Sequence, residues 1–408
     1  MTEPAQQSLT VEDALQLVVG KVAVIADVVR LDLLVAHGAV LSAPVFANHT
    51  QPPFDASAMD GYAVRAADLT GAAPITLRRI GEAAAGHGFA GGVGPGDAVR
   101  IFTGAPMPAG ADTIVIQEDA RATGSFLTID RTATDRDHIR PKGGDFTAGQ
   151  PVLPAGLRIA ARHIALAAAA GHAQLNVRRP PRVAILATGD ELVMPGVSPA
   201  AGQIVCSNPF GIAAMVTAAG GTPILLGIAA DTTASLESKL QQAEGADILV
   251  TLGGASVGDH DLIVPVLTRR GIDLAFWKIA MRPGKPMLFG RLGTTHVLGL
   301  PGNPVSSLIT ARLFLVPLIH ALLGLPPQDD AHAHATVGEP LPANGPRAHY
   351  MRGVYRQNET GAPAVYPLPN QDSSLLLPLA AADCLIVRPI RAPALPAGAT
   401  VPILPIDF

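Results

Sequence analysis

Apolar positions recur along the chain with different periods in different segments. Leu9, Ala14, Leu15, Val18, Val19 and Val22 fall at helical spacing, and Thr10 with Asp13 three residues later reads as a capping box that opens the helix. Between residues 46 and 145 the pattern breaks into short β-rich runs, VRIF at 99–102 and TIVI at 113–116, separated by stretches such as GGVGPGDA and GAPMPAGAD. That alternation predicts a small β domain. A helical pattern returns within 146–178 as IAARHIALAAAA. If this helix packs beside the first, the β part is an insertion into a discontinuous domain.

From residue 179 the period changes again. VAILA, PILLGI, DILVT and HVLGL are short apolar runs, and helix-like GIAAMVTAAGG and ASLESKLQQAE lie between the first three. Alternating strands and helices predict a parallel α/β sheet with helices on both faces. The most apolar stretch, 304–325, is interrupted by Arg312 and Pro317 and holds His320, so no membrane-spanning helix is expected from it. After about residue 326 the chain reads as a Pro-rich linker, and CLIVRPI and TVPIL close it as short strands. His332 and His334 on that linker read as solvated, with no metal role. The fold class is therefore α/β multidomain. Residues 1–45 with 146–178 form a discontinuous helical domain, 46–145 a β-rich insertion, 179–326 a parallel α/β domain and 327–408 a small C-terminal β domain.

Composition narrows the function. With 408 residues the chain exceeds a single core at about 150 residues per domain. A net charge of −4 without any basic run gives no general attraction to nucleic acid or to an anionic membrane. Cys206 and Cys384 are too far apart for a CxxC site, which fits a reduced, cytoplasmic protein in which both pack in cores. The polar start, MTEPAQQSLT, lacks the features of a secretory signal.

Chemistry gathers where strands of the α/β part end. VAILA runs into TGDEL (188–192), DILVT into LGGASVGDHD (252–261) and HVLGL into PGNPVSS (301–307). Gly253, Gly254 and Gly258 permit close backbone approach to a ligand, yet the spacing matches neither GxGxxG nor GxxxxGK[ST]. Asn303 before Pro304 reads as a helix cap whose N-terminus also suits an anion. Asp190, Glu191, Asp231, Asp259 and Asp261 crowd the same rim. Such a set calls for a hard cation, and Mg²⁺ held by carboxylates plus substrate phosphates is the usual solution. In FWKIAMRPGKP, Lys278, Arg282 and Lys285 stand on a stiff loop that suits a tetrahedral dianion.

FDASAMDGYAVR, RIFTGAPMP, RPKGGD, ATGDEL, GGASVGDHD, MRPGKP and GLPGNPVSS occur in the order of the molybdopterin molybdenumtransferase family, and the chain is similar to the E domain of gephyrin. The resemblance runs from about residue 8 to the C-terminus. It implies an elongated discontinuous helical domain, a molybdopterin-binding α/β domain and a homodimer in which one subunit's insertion approaches its partner's α/β site. The implied reaction inserts molybdate into adenylylated molybdopterin with Mg²⁺ and releases AMP. A separate molybdopterin adenylyltransferase would supply that substrate, with transient contact. Matched residue by residue, Asp60, Thr103, Glu191, Asp231 and Asp261 carry catalysis, and Asp231 and Asp261 hold Mg²⁺. Asp190, Gly253, Gly254, Ser256, Gly258, Lys278, Pro301, Gly302 and Asn303 bind substrate. Arg282, Lys285, Pro286, Ser306, Arg352 and Ser373 form the molybdate pocket. Three departures stand out: DAS at 55–57 where DNS is common, QDS at 371–373 where GSG or QGS is common, and HGAVLSAPV without an arginine. A non-catalytic molybdopterin-binding scaffold or a tungstate-inserting paralogue are the alternatives, and the full set of acids favours the enzyme.

Overall fold

The computed structural model describes residues 9–130, 138–254, 262–327, 333–358 and 360–408. They form two compact units, one of Met1–Val29, Gly38–Val40 and Val177–Phe408, the other of Arg30–His37 and Leu41–Asn176.

Helix α1 (Val11–Val19), in the first of these, starts as its sequence dictates. Thr10 Oγ1 accepts the Asp13 N–H at 3.1 Å and donates to the Asp13 carboxylate at 2.7 Å. The acid thus closes the cap through the hydroxyl. Ala14 and Val18 are buried in the core, with Leu9, Val11, Leu15, Val19 and Val22 packed against it.

The Arg30–Asn176 unit is built on a six-stranded sheet of β1 (Gly61–Val64), β2 (Ile75–Ala83), β3 (Asp97–Ile101), β4 (Thr113–Ile116), β5 (Ala120–Thr123) and β6 (Phe126–Ile129), in the order β4-β1-β3-β2-β6-β5. Tyr62 and Val64 enter one core cluster while Ala63 between them enters another. Period-two burial on both sides explains why β1 reads as all apolar. The same unit holds helix α2 (Ala161–Ala169).

In the other unit the expected alternation appears: β7 (Arg182–Thr188), α3 (Asn208–Ala218), β8 (Thr222–Ala229), α4 (Thr233–Gln242), β9 (Ile248–Leu252), α5 (Ile263–Arg269), β10 (Asp273–Trp277), β11 (Leu288–Leu292) and β12 (Thr295–Leu300). The sheet order is β8-β7-β9-β12-β11-β10. The first four are parallel, and β11 and β10 add an antiparallel edge. Val183 and Ile185 of β7 face α3 and the helices after β12, whereas Ala184 and Leu186 face α4 and α5. Helices therefore cover both faces. Arg179 grips Asp247 with two bonds of 2.8 and 3.0 Å, and Asp247 also accepts the Arg182 N–H at 2.7 Å. Those bonds fix the entry to β7 beside that to β9.

One expectation is corrected. Residues Pro304–Leu322 form one continuous helical run, α6 (Pro304–Thr310), a π turn at Ala311–Leu315 and α7 (Val316–Leu322), long and apolar enough to span a membrane. Pro317 and Arg312 do not break it. The π turn accommodates the proline, and the buried Arg312 guanidinium binds the Asp407 carboxylate at 2.7 and 3.2 Å. Most of the run is buried in the protein core, which accounts for its composition.

The C-terminal part is a sheet of β13 (His334–Thr336), β14 (Ala348–Gln357), β15 (Pro363–Pro367), β16 (Cys384–Arg388) and β17 (Thr400–Pro405), joined at one edge by Met281–Arg282. His334, read as part of a linker, is in strand β13, which pairs with β17. His332 lies outside the described residues.

Candidate functional site

A cleft of about 840 Å³ opens at the carboxyl ends of β7, β8, β9 and β12, the edge where ligands collect in open α/β sheets. Thr188, Gly189 and Glu191 line it after β7, Asp231 after β8, Gly253 and Gly254 after β9, and Pro301, Gly302 and Asn303 after β12. Four loops that are distant in sequence therefore share one cleft. Gly253 has φ +91°, and its N–H donates to Leu300 O at 3.1 Å. A Cβ there would stand 3.2 Å from both the carbonyl and the hydroxyl oxygen of Thr188, and one on Gly302 would stand 3.6 Å from Gly253 Cα. The floor is bare backbone because side chains would fill it.

The acids divide by role. Asp190 Oδ1 accepts the Asp231 N–H at 3.1 Å, so it ties the two loops together and leaves the exposed carboxylates of Asp231 and Glu191 to face a ligand. Cys206 also lines the cleft. Burial, and then the charge of Glu191, pushes its thiol above the ordinary range, which keeps it neutral. Among the described residues no group of three His, Cys, Asp or Glu gathers closely enough to cage a metal alone. Mg²⁺ does not need one, because it takes one or two carboxylates and completes its shell with phosphate oxygens and water. Asp231 supplies such a hard oxygen at the rim, and these residues fit the ion. Ser256, Gly258, Asp259 and Asp261 lie outside the described residues.

Of the expected oxyanion residues, Pro286 lines the cleft. Arg282, on the strand Met281–Arg282, and Lys285, in the turn after it, are exposed. Lys278 adopts φ 84° and places its ammonium 5.3 Å from the centre of the Trp277 ring, an aromatic contact that orients the side chain. Ser306 is buried in α6, and its neighbour Ser307 donates to Pro301 O at 2.6 Å, anchoring the PGNP turn.

Two residues act differently from their reading in sequence. Asn303 precedes α6 but its side chain does not cap it; the amide donates to Ser373 Oγ at 3.1 Å, and Val305 N–H donates to Ser373 O at 3.0 Å. Arg352 is 1% exposed, and its donors go to Gln371 Oε1, Leu375 O and Asn370 O at 3.4, 3.1 and 3.1 Å. The guanidinium thus stands behind the loop that carries Ser373 and shapes it. Gln371, part of the unusual QDS triplet, completes the buckle by accepting Arg352 N–H at 2.9 Å and donating to Arg352 O at 2.9 Å. Asp372 accepts the Ser374 N–H and hydroxyl, each at 2.8 Å, and these bonds hold its carboxyl below the usual range.

In the other unit, Asp60 Oδ1 accepts both the N–H and the hydroxyl of Thr103, at 2.8 and 2.9 Å. The Thr103 backbone bond is the main reason its carboxyl lies below the ordinary range, with the Thr103 hydroxyl and Arg100 adding to it. Asp55 and Ser57 of the DAS variant brace this loop: Asp55 accepts Lys142 N–H at 2.7 Å and Ser57 donates to Met59 O at 2.5 Å.

Family models for the MoeA N-terminal region (domains I and II), the probable molybdopterin binding domain and the MoeA C-terminal region (domain IV) match residues 9–171, 184–321 and 334–406. The chain is 36% identical over 393 residues to a molybdopterin molybdenumtransferase of Nostoc sp., covering 93% of this chain and 88% of that protein. The chain belongs to the molybdopterin molybdenumtransferase family. A second relative of that name, from Haemophilus influenzae, is 35% identical over 92% of this chain and 93% of its own length. The molybdopterin biosynthesis MoeA protein of Pyrococcus horikoshii superposes with a TM-score of 0.83 at 26% identity, covering 98% of this chain and 100% of that one. The protein is accordingly a transferase of molybdenum cofactor biosynthesis. Within the cleft, residues not singled out from sequence also contribute. Asn208 donates to Gly302 O at 2.7 Å and Ser374 lines the wall. An Asn opening a helix between Ser207 and Pro209 was the only signal for the first.

Proposed function

We propose that the protein inserts molybdate into adenylylated molybdopterin and releases AMP. What carries this reading is the convergence of Glu191, Asp231 and the bare floor of Gly253 and Gly302 on one cleft that Pro286 and the Asn303–Ser373 strap also border. The backbone floor admits a flat pterin, and the acid-lined rim suits a pyrophosphate. Asp231, with Asp261, holds Mg²⁺ in this reading. Bound there, the ion would supply positive charge against the substrate's pyrophosphate. Glu191 and Asp60 orient the substrate or the attacking water, and Thr103 keeps Asp60 ionised. Lys285, Arg282 and Ser306 receive molybdate, while Arg352 and Gln371 set the loop that presents Ser373. Lys278 takes a phosphate oxygen of the substrate.

The protein works as a cytoplasmic homodimer in this reading, and the Asp60–Thr103 loop of one subunit serves the cleft of its partner. A separate adenylyltransferase hands over the substrate. The test is direct: purified protein with adenylylated molybdopterin, Mg²⁺ and molybdate releases AMP, and omission of molybdate or Mg²⁺ stops it. AMP release no faster than a protein-free blank rejects the proposal.

A further inference from the structure

Away from the cleft, the C-terminal sheet carries a row of basic side chains that no part of the reaction above uses as a row. Arg282 lies directly opposite His349, and His349 directly opposite Arg388, on three neighbouring strands. Directly paired positions share a face of a sheet. The row also grades inward: Arg282 and its neighbour Arg347 are exposed, His349 is half-buried and Arg388 is only 2% exposed.

Arg388 is incompletely bonded. One terminal nitrogen, Nη2, donates to Pro342 O and Pro393 O. Its Nε and Nη1 are buried with no hydrogen-bond partner among the described residues. Among the described residues no carboxylate offsets this charge, and burial lowers the pKa of the guanidinium. His349 is driven down to about 4 by burial first and then by Arg282, Arg347, Arg352 and Arg388, with no acid acting the other way. Proteins seldom bury a guanidinium with N–H groups left unpaired, because an uncompensated buried charge is strongly destabilising. With Nη2 taken by two carbonyls, Nε and Nη1 open on different sides of the group, and each offers an oxyanion oxygen a single charge-assisted bond.

We propose that Arg388, His349 and Arg282 form a second seat for a small tetrahedral dianion, separate from the cleft. Arg282 and Arg347 form the exposed end of this row, and Arg388 its buried inner end. Arg282 is the one residue shared with the molybdate pocket, and the proposal rests on that reading only in naming molybdate as one source of the oxyanion. Inorganic phosphate or sulfate is the other.

Equilibrium dialysis of the full-length protein at low chloride, with molybdate, phosphate and sulfate in separate arms, tests this. Arg388→Leu and His349→Phe are compared with the unaltered chain, after thermal melts confirm that each variant folds. The unaltered protein is expected to hold one more anion per chain than Arg388→Leu, and His349→Phe to bind that anion roughly tenfold more weakly. Retention of molybdate alone assigns the seat to the substrate supply, whereas equal retention of phosphate and sulfate assigns it to oxyanions in general; both support the seat. Equal stoichiometry and affinity in all three proteins overturn it, as does a crystal structure in which an acidic side chain of a second copy occupies Arg388. AMP release measured on the same samples separates the two proposals, since a failed transferase assay leaves the dialysis difference standing.

Discussion

The Asn303 side chain gives its amide to the Ser373 hydroxyl at 3.1 Å instead of capping the helix it precedes. That bond joins the turn after the last parallel strand to a loop of the C-terminal part, and it fixes a hydroxyl where the proposed molybdate pocket needs one. Asn303→Ala removes the donor without introducing bulk. One such bond is worth about 1 kcal/mol, so the KM for molybdate is expected to rise roughly fivefold, with a melting temperature close to that of the parent. An unchanged KM would assign the contact to packing alone.

Gly189 is a second point of tight tolerance. It adopts φ +144°, and a Cβ there would come within 2.4 Å of Glu191 Oε2. Gly189→Ala is expected to displace the Glu191 carboxylate and to lower kcat much more than a remote surface substitution, at a backbone cost of about 1–3 kcal/mol. Steady-state AMP release together with a thermal melt measures both effects.

The bonds from Thr103 hold the Asp60 carboxyl below its ordinary range. A lowered carboxyl stays ionised as the pH falls, so the acid limb of the activity profile should not come from Asp60 in the parent. Thr103→Val deletes the hydroxyl but keeps the backbone N–H, and Asp60 then titrates at a higher pH. Carboxyl NMR of selectively labelled protein reads the shift directly, and the pH–rate profile should move upward with it.

His296 supplies a stability test. It is buried against Phe289, its Nδ1 has no hydrogen-bond partner among the described residues, and burial with the nearby Arg291 drives it down to about 4. The unfolded histidine takes a proton near pH 6.5, so between there and about pH 4 the unfolded chain binds more protons than the folded one and stability falls as the pH falls. The loss attributable to this residue reaches about 3 kcal/mol at the acid end. Urea melts across that range should show a shallower pH dependence for His296→Phe, with His349 contributing a residual slope of the same sign.

The parallel strands were legible because apolar runs such as VAILA bury alternate residues on opposite faces, as Val183 and Ala184 do. The Thr10 cap was legible because its donor and acceptor are three residues apart. The antiparallel edge was not: Asp273, Leu274 and Ala275 are all exposed, so the strand shows no alternation of burial, and FWKIAMRPGKP, which begins inside it, reads as a loop. Arg352 illustrates another limit. A sequence shows a cation near a proposed anion site, but the carbonyls of Asn370 and Leu375 that consume its donors belong to a loop some twenty residues away, and only folding brings them round it. The run from Pro304 to Leu322 misled for a related reason: Pro317 reads as a break and Arg312 as an interrupting charge, but a π turn precedes the proline and Asp407 pairs the arginine.

The division of the site between two subunits is tested most directly by mixing inactive proteins. Asp60→Asn and Asp231→Asn, each inactive alone, are co-refolded or co-expressed and assayed for AMP release. Random pairing places half the molecules in mixed dimers, each with one intact site of two, so the account predicts recovery to about a quarter of parental activity. No recovery, with mixed dimers confirmed by mass spectrometry, would show that both acids act from the same chain and would contradict it.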